Sequence, residues 1–250
     1  MVSHFCLFFN ISGKKVYKIE KNMYNIAVHR PMPGKEKAML KTERTSVMNF
    51  ENAIRGARNP MNSWARMDSV TDEKGNFVFG ANDLDLAKRL ARAGSDHRKF
   101  LRQIFVSVDI TAPLYWWKEF DTYKVGTVAN SCSTMHKIHS KPFELDDFSH
   151  DRLTEDALDA LGRLVDFLEA ERRLFIENKE ERSHWHNMIQ LLPSSYNQMR
   201  TVTLNYENLI GIYYARKNHK LGEWHTLCDW IMSLPYADEL IAVKEDKNSI

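Results

Sequence analysis

Apolar positions along the chain recur with two different periods, and each period predicts a different kind of element. From Ile104 to Ile110 they alternate strictly, Ile104, Val106, Val108 and Ile110 with Phe105, Ser107 and Asp109 between them. That is the signature of a strand with those four residues on one side. Thr201-Val202-Thr203-Leu204-Asn205 is β-branched and reads as a second extended piece. Asp72 to Asn76 reads as a turn between two short extended pieces, the second being Phe77-Val78-Phe79. Elsewhere the spacing is helical. Residues 48 to 58 form a short helix stopped at Asn59-Pro60. Leu84, Ala87, Leu90 and Ala91 share a face of a helix capped by Asn82 or Asp83 and ended by Gly94. Thr111 is placed to cap a further helix with Pro113 in its first turn, carrying Trp116, Trp117, Lys118 and Glu119.

A long amphipathic helix spans residues 151 to 178, with a second helical piece running through Ile189 to Leu192 and broken by Pro193. A helix from about Tyr206 to Asn218 places Leu209, Ile212, Tyr213 and Arg216 on one face. A guanidinium on such a stripe either snorkels to water or meets an anion. A last helix runs from Glu223 to Leu234 and stops at Pro235. Residues 1–47 show no sustained period and read as a loosely ordered N-terminal extension, with an added edge strand as the alternative. Residues 48–240 form the main domain, and 241–250 a charged tail that frays.

Composition narrows the classes. The chain has 250 residues and a formal charge of +2, so no strong field for nucleic acid or a membrane surface follows. Cys6, Cys132 and Cys228 are odd in number and far apart, which argues against a disulfide framework and fits a reducing cytoplasm. No run approaches the roughly eighteen apolar residues of a membrane span, and the opening HFCLFFNI lacks the cleavage pattern of a signal peptide. There is no Walker A run, Gly-x-Gly-x-x-Gly or Gly-x-Ser-x-Gly. Cys132-x-x-x-His136-x-x-His139 and His184-x-His186 lack the paired clusters of a zinc site, so no metal is expected.

The chain's most polar concentrated chemistry lies in Phe120 to Lys137, FDTYKVGTVANSCSTMHK. Its short hydroxyl and amide side chains either make a surface loop or donate many hydrogen bonds to phosphates or a pyrimidine edge. This stretch resembles the signature of flavin-dependent thymidylate synthases, Arg-His-Arg-x-x-Ser-x-Asn-x-x-Ser-x-Arg-Tyr. Thr122-Tyr123-Lys124-x-x-Thr127 stands for its first half and Asn130-x-x-Ser133 for its second, with one extra residue between them, while Met135-His136 stands where the family has Arg-Tyr. The surrounding order is similar too. His97-x-x-Phe100-Leu101 precedes the strand, Ala112-Pro113 opens the helix, and Lys118-Glu119 falls where the family has Arg-Gln. Asn205-x-x-x-Leu209, Arg216 and Trp224 resemble the family's Asn-x-Arg-x-Leu, Arg and Gln-Trp-Glu block. Ile189 stands where the family has an arginine ahead of Leu192-Pro193.

The resemblance, over about residues 48–240, implies an α+β fold with an antiparallel or mixed sheet flanked by long helices. It implies an FAD enzyme that forms thymidylate from deoxyuridylate, with methylenetetrahydrofolate and NADPH as co-substrates, working as a cytoplasmic homotetramer with shared active sites. Trp116 and Trp117 would then be exposed interface residues. Arg216 takes the family's catalytic arginine position, and Ser133 lies against the nucleotide. Cofactor contacts fall on His97, Thr122, Tyr123, Lys124 and Asn205. Substrate contacts fall on Glu119, Asn130, Ser131, Ser133, His136 and Lys137. Residue chemistry leaves alternatives: Lys124, His136 and Lys137 are either phosphate-binding cations or solvated charge, and Tyr123 and His97 either face the flavin or pack in the core. Two other functions fit the same residues. One keeps the fold and modifies a different pyrimidine nucleotide. The other is a nucleotide- or nucleic-acid-binding module in which Lys124, Lys137, Arg200 and the tryptophans form the face.

Overall fold

The computed structural model describes residues 40–243 apart from Lys74. In chain order, β1 (Lys41–Met48) leads to α1 (Phe50–Arg58), and a hairpin of β2 (Val70–Thr71) and β3 (Phe77–Val78) to α2 (Ala81–Arg92). Next come β4 (Phe105–Pro113), α3 (Leu114–Phe120), β5 (Val128–Ser131), α4 (Glu155–Glu177) and α5 (Arg182–Leu191). The last elements are β6 (Asn197–Asn205), α6 (Tyr206–Arg216), α7 (Gly222–Met232) and α8 (Ala237–Leu240). The main sheet has the order β1-β4-β6-β5 and is antiparallel throughout, so the α+β class implied by the sequence holds.

The alternation read in β4 sets the core. Val106, Val108, Ile110 and Ala112 are buried, as are Val202 and Leu204 of β6, directly opposite Val108 and Val106. Against this face pack Ile54, Leu101, Trp117, Tyr206, Leu209 and Trp224. The other face is polar, with Thr201 donating to Asp109 at 2.6 Å across the ladder. A second, smaller cluster joins α4 and α5 through Leu161, Val165, Leu168, Phe175 and Met188.

Three local expectations are corrected. The helix does not start at Thr111: β4 stays paired with β6 as far as Pro113, opposite Asn197. The first amides of α3 are then taken by loop carbonyls, Leu114 by Tyr196 at 3.0 Å and Tyr115 by Ser194 at 2.9 Å, so no capping side chain is required. Neither Asn82 nor Asp83 caps α2. The Asp68 carboxylate does so from outside, accepting from the amides of Asn82 and Asp83 at 2.8 and 3.0 Å. A side chain at Gly80 would lie 2.2 Å from the Asp68 carboxyl, and glycine permits that close approach. Trp116 and Trp117 are not exposed interface residues; both are fully buried in a ring cluster with Phe120 and Trp224, where Trp116 stacks on Phe120 and Trp117 meets it edge-on.

Residues 41–47, the end of the extension, form edge strand β1 of the main sheet together with Met48, the alternative reading of that segment. The rest of that extension, 1–39, and most of the tail, 244–250, lie outside the described residues. Among the described residues no helix is long and apolar enough to cross a membrane.

Candidate functional site

Three separate parts of the chain meet at the C-terminal end of α3. Glu119 lies in the last turn of that helix, and Tyr123 follows it by four residues. Arg216 closes α6, where a cation complements the exposed carbonyls of the helix end. Trp224 is buried in the first turn of α7. The Arg216 Nε–H donates to the Tyr123 hydroxyl at 2.8 Å, and its Nη1 to Glu119 Oε2 at 2.9 Å. The guanidinium lies 4.4 Å from the centre of the Trp224 ring, within cation–π range. The same Glu119 oxygen accepts from Trp224 Nε1 at 2.8 Å.

Of the two readings open for an arginine on this stripe, the guanidinium therefore meets an anion, one supplied by its own chain. The Arg216 side chain is 17 % exposed. Two of its five N–H donors are used in these bonds. Among the described residues the other three make no hydrogen bond.

His219, which the sequence motifs did not single out, belongs to this cluster. Its Nε2 lies 3.5 Å from Glu119 Oε2, and its Nδ1 accepts from the Leu221 amide at 3.2 Å. That bond places the neutral ring's proton on Nε2, facing the carboxylate. The available signal was its spacing three residues after Arg216, but it falls beyond the helix end, where helical spacing gives no face.

One turn earlier on α3, the Tyr115 hydroxyl donates to Glu223 at the start of α7. Burial, and then the carboxylate, push its pKa well above the ordinary phenol value. Tyr115–Glu223 and Glu119–Trp224 thus make two rungs that fix α3 against α7.

A second arginine links this end of α3 to the polar stretch. Arg200 of β6 donates to Asp121 at 2.8 Å and to Gln198 at 2.9 Å, over the Trp117 ring at 4.3 Å. Ser131 of β5 is directly opposite Arg200, on the same face of the sheet. Gln198 donates to the Cys132 carbonyl at 2.7 Å. Asn130 is opposite Thr201 and so projects from the other face. Two neighbouring residues expected to contact one substrate thus diverge.

The remaining predicted residues are dispersed. The Ser133 hydroxyl accepts from the amides of Met135 and His136 at 3.2 and 2.9 Å, closing a turn that leaves His136 and Lys137 exposed. Trp185 of α5 holds that turn through the Met135 carbonyl at 3.0 Å. Thr122 donates to the Glu119 carbonyl at 2.8 Å. Asn205 is buried as the N-cap of α6, in a reciprocal box with Asn208. His97 is exposed in the turn after α2 and makes no bond to the Arg216 cluster.

The loop between Tyr123 and β5 offers an exposed Lys124, a largely exposed Val125 and a buried Thr127 hydroxyl that has no partner among the described residues. An exposed cation beside an apolar surface suits the pyrophosphate and ring of a flavin nucleotide. Gly126, at φ +73°, lets the loop lie against Asn205 and Asn208, and Asn208 donates to the Val125 carbonyl at 2.7 Å.

A cleft of about 500 Å³ lies elsewhere, lined by Met48, Asn49, Asn52, Asn76, Phe77 and Pro235 among others. It includes none of the predicted site residues. Of the cysteines, Cys228 is buried, and burial raises its thiol to about 11; Cys132 is exposed. Among the described residues no three His, Cys, Asp or Glu side chains are grouped to hold a metal ion.

No protein-family model and no curated protein sequence matches the chain. Solved structures do. A crystal structure of thymidylate synthase X from Helicobacter pylori with FAD and dUMP is similar at a TM-score of 0.60 and 17 % identity, over 81 % of this chain and 96 % of that one. A second structure of the flavin-dependent enzyme from the same organism, also complexed with FAD and dUMP, gives a TM-score of 0.60 and 16 % identity over 82 % and 99 %. At these identities the likeness is one of fold.

Proposed function

We propose that the chain is a flavin-dependent enzyme of the thymidylate synthase type, binding FAD and a deoxyuridine ligand and placing a one-carbon group on C5 of the pyrimidine. The observation that supports this best is the meeting of Glu119, Tyr123 and Arg216 from separate stretches, on a fold shared with proteins crystallised with FAD and dUMP. When bound, the flavin supplies the hydride. The chain supplies orientation and charge. Arg216, held on one side by Glu119 and Tyr123, turns its remaining N–H groups to a pyrimidine carbonyl and stabilises the negative charge that makes C5 nucleophilic. Its stacking on Trp224 keeps the guanidinium plane fixed.

Lys124 holds the cofactor from the loop before β5, and Ser131 borders the ligand beside Arg200. Methylenetetrahydrofolate is the carbon donor and NADPH the reductant. The active unit is a homotetramer in which neighbouring chains complete the site around the exposed turn at residues 133–137.

The test is tritium release from C5-labelled dUMP by the full-length chain supplied with FAD, with and without methylenetetrahydrofolate. Folate-dependent release supports the reading. A chain that holds FAD and releases no tritium from any deoxyuridine ligand contradicts it.

A further inference from the structure

Arg216 and Trp224 meet in space, the guanidinium 4.4 Å from the ring centre, and both bond to one oxygen of Glu119. In the chain they are separated by the link 217–221, which joins α6 to α7. The conformation of that link therefore sets how the guanidinium meets the indole. His219 stands at its middle and contacts Arg216, Trp224 and Glu119 in turn. Its backbone amide donates to the Arg216 carbonyl at 2.9 Å. Its Nδ1 accepts from the Leu221 amide at 3.2 Å, and the Leu221 carbonyl in turn accepts from the Trp224 amide at 3.2 Å. Its ring meets the Trp224 ring edge-on, with centres 6.1 Å apart at 71°. Nε2 lies 3.5 Å from Glu119 Oε2, and the side chain is 19 % exposed.

We infer that His219 is a positioning residue for Arg216, closing the link so that Arg216, Trp224 and Glu119 keep their mutual geometry. For its effect on turnover the inference rests on the function proposed above and deepens that reading. The placement itself is a property of the chain without a ligand. A link left open samples many conformations, and fixing it during the reaction costs entropy that a closed link has already lost. The closure requires a neutral imidazole, because Nδ1 can accept from the Leu221 amide only while it carries no proton. With Nδ1 bonded to that amide and the proton on Nε2, no lone pair is left to take a proton from a ligand. His219 thus acts through Arg216 and is not a base.

The test compares the natural full-length chain with two variants. His219→Phe keeps a ring against Trp224 and loses the acceptor. His219→Asn keeps an acceptor two residues before the Leu221 amide, the spacing at which asparagine bonds its own backbone. The first readout needs no ligand. It is the Nε–H resonance of Arg216 in 15N NMR, whose exchange with water is slowed by the bond to Tyr123. His219→Phe is expected to speed that exchange by about tenfold, and His219→Asn to recover most of the difference. The second readout is folate-dependent tritium release by the FAD-loaded protein. His219→Phe is expected to lower kcat by about tenfold and to change KM for dUMP by less than about threefold, with His219→Asn again recovering most of the loss. An unchanged Arg216 resonance or an unchanged kcat in a folded His219→Phe overturns the inference, as does a His219→Asn that recovers neither. A natural protein whose His219 ring carries its proton on Nδ1 overturns it without any variant. If the Arg216 resonance responds as expected and the natural protein releases no tritium, the positioning stands and the proposed reaction fails.

Discussion

A guanidinium held by a carboxylate and a phenol and stacked on an indole has little rotational freedom left, and that restriction is what makes Arg216 useful. Its orientation is settled before a ligand arrives, so binding does not have to supply that ordering. Arg216→Ala is expected to leave FAD bound and to lower tritium release by about 100-fold or more, the size of effect seen when one preorganised donor is removed. Release at the unaltered rate would remove Arg216 from the chemistry. Much of this corner was legible at the level of single residues. Arg216 shares a helical stripe with Leu209 and Ile212, and a charge there demanded a partner. Glu119 as that partner was not legible, since the two are far apart in sequence and only the approach of the end of α3 to the end of α6 joins them. Ser133 shows the opposite case: its hydroxyl is engaged in its own turn by the amides of Met135 and His136, a local use that a motif position cannot reveal.

At the scale of elements, the start of α2 depends on one buried ion pair. Asp83 is fully buried and accepts from Arg58 Nε at 2.6 Å and from the Ser69 hydroxyl and amide at 2.6 and 3.0 Å. Burial raises its pKa, but the bonds from Ser69 and Arg58 outweigh that, and the carboxyl lies below its ordinary 3.8. A depressed carboxylate pKa adds stability that is fully present above about pH 4 and lost as the pH falls through the folded value. Asp83→Asn leaves Arg58 buried without its counter-charge and is expected to cost about 3 kcal/mol at pH 7. By urea denaturation the gap to the natural protein narrows below pH 4; a gap independent of pH contradicts the ion-pair account. Gly126→Ala forces a side chain into the left-handed region and to 3.0 Å from Asn205 Nδ2. The expected loss is about 1–2 kcal/mol, with faster amide exchange confined to residues 124–128; uniform exchange would show the loop is not anchored there. Elements with one buried face, β4 and α2 among them, were readable because burial imposes a period. The edge strand β5 was not, because all four of its residues are exposed and its ladder to β6 needs no apolar alternation.

For the whole molecule, the α+β class, with an antiparallel or mixed sheet, followed from the family resemblance, but the strand order did not. β4 lies between β1 and β6, and β6 is about ninety residues away in sequence. Only the matching of Val106 and Val108 to Leu204 and Val202 on one face sets that register. Burial of Trp116 and Trp117 was equally illegible, since an aromatic pair reads the same at an interface and in a core. The central claim is that this fold, with the loop at 123–128 beside the Arg216 cluster, holds a flavin. The most direct measurement is the absorption spectrum of the full-length chain after incubation with FAD and removal of free cofactor by gel filtration. A flavin band at close to one FAD per chain is the predicted result, and a protein that elutes colourless would contradict the account.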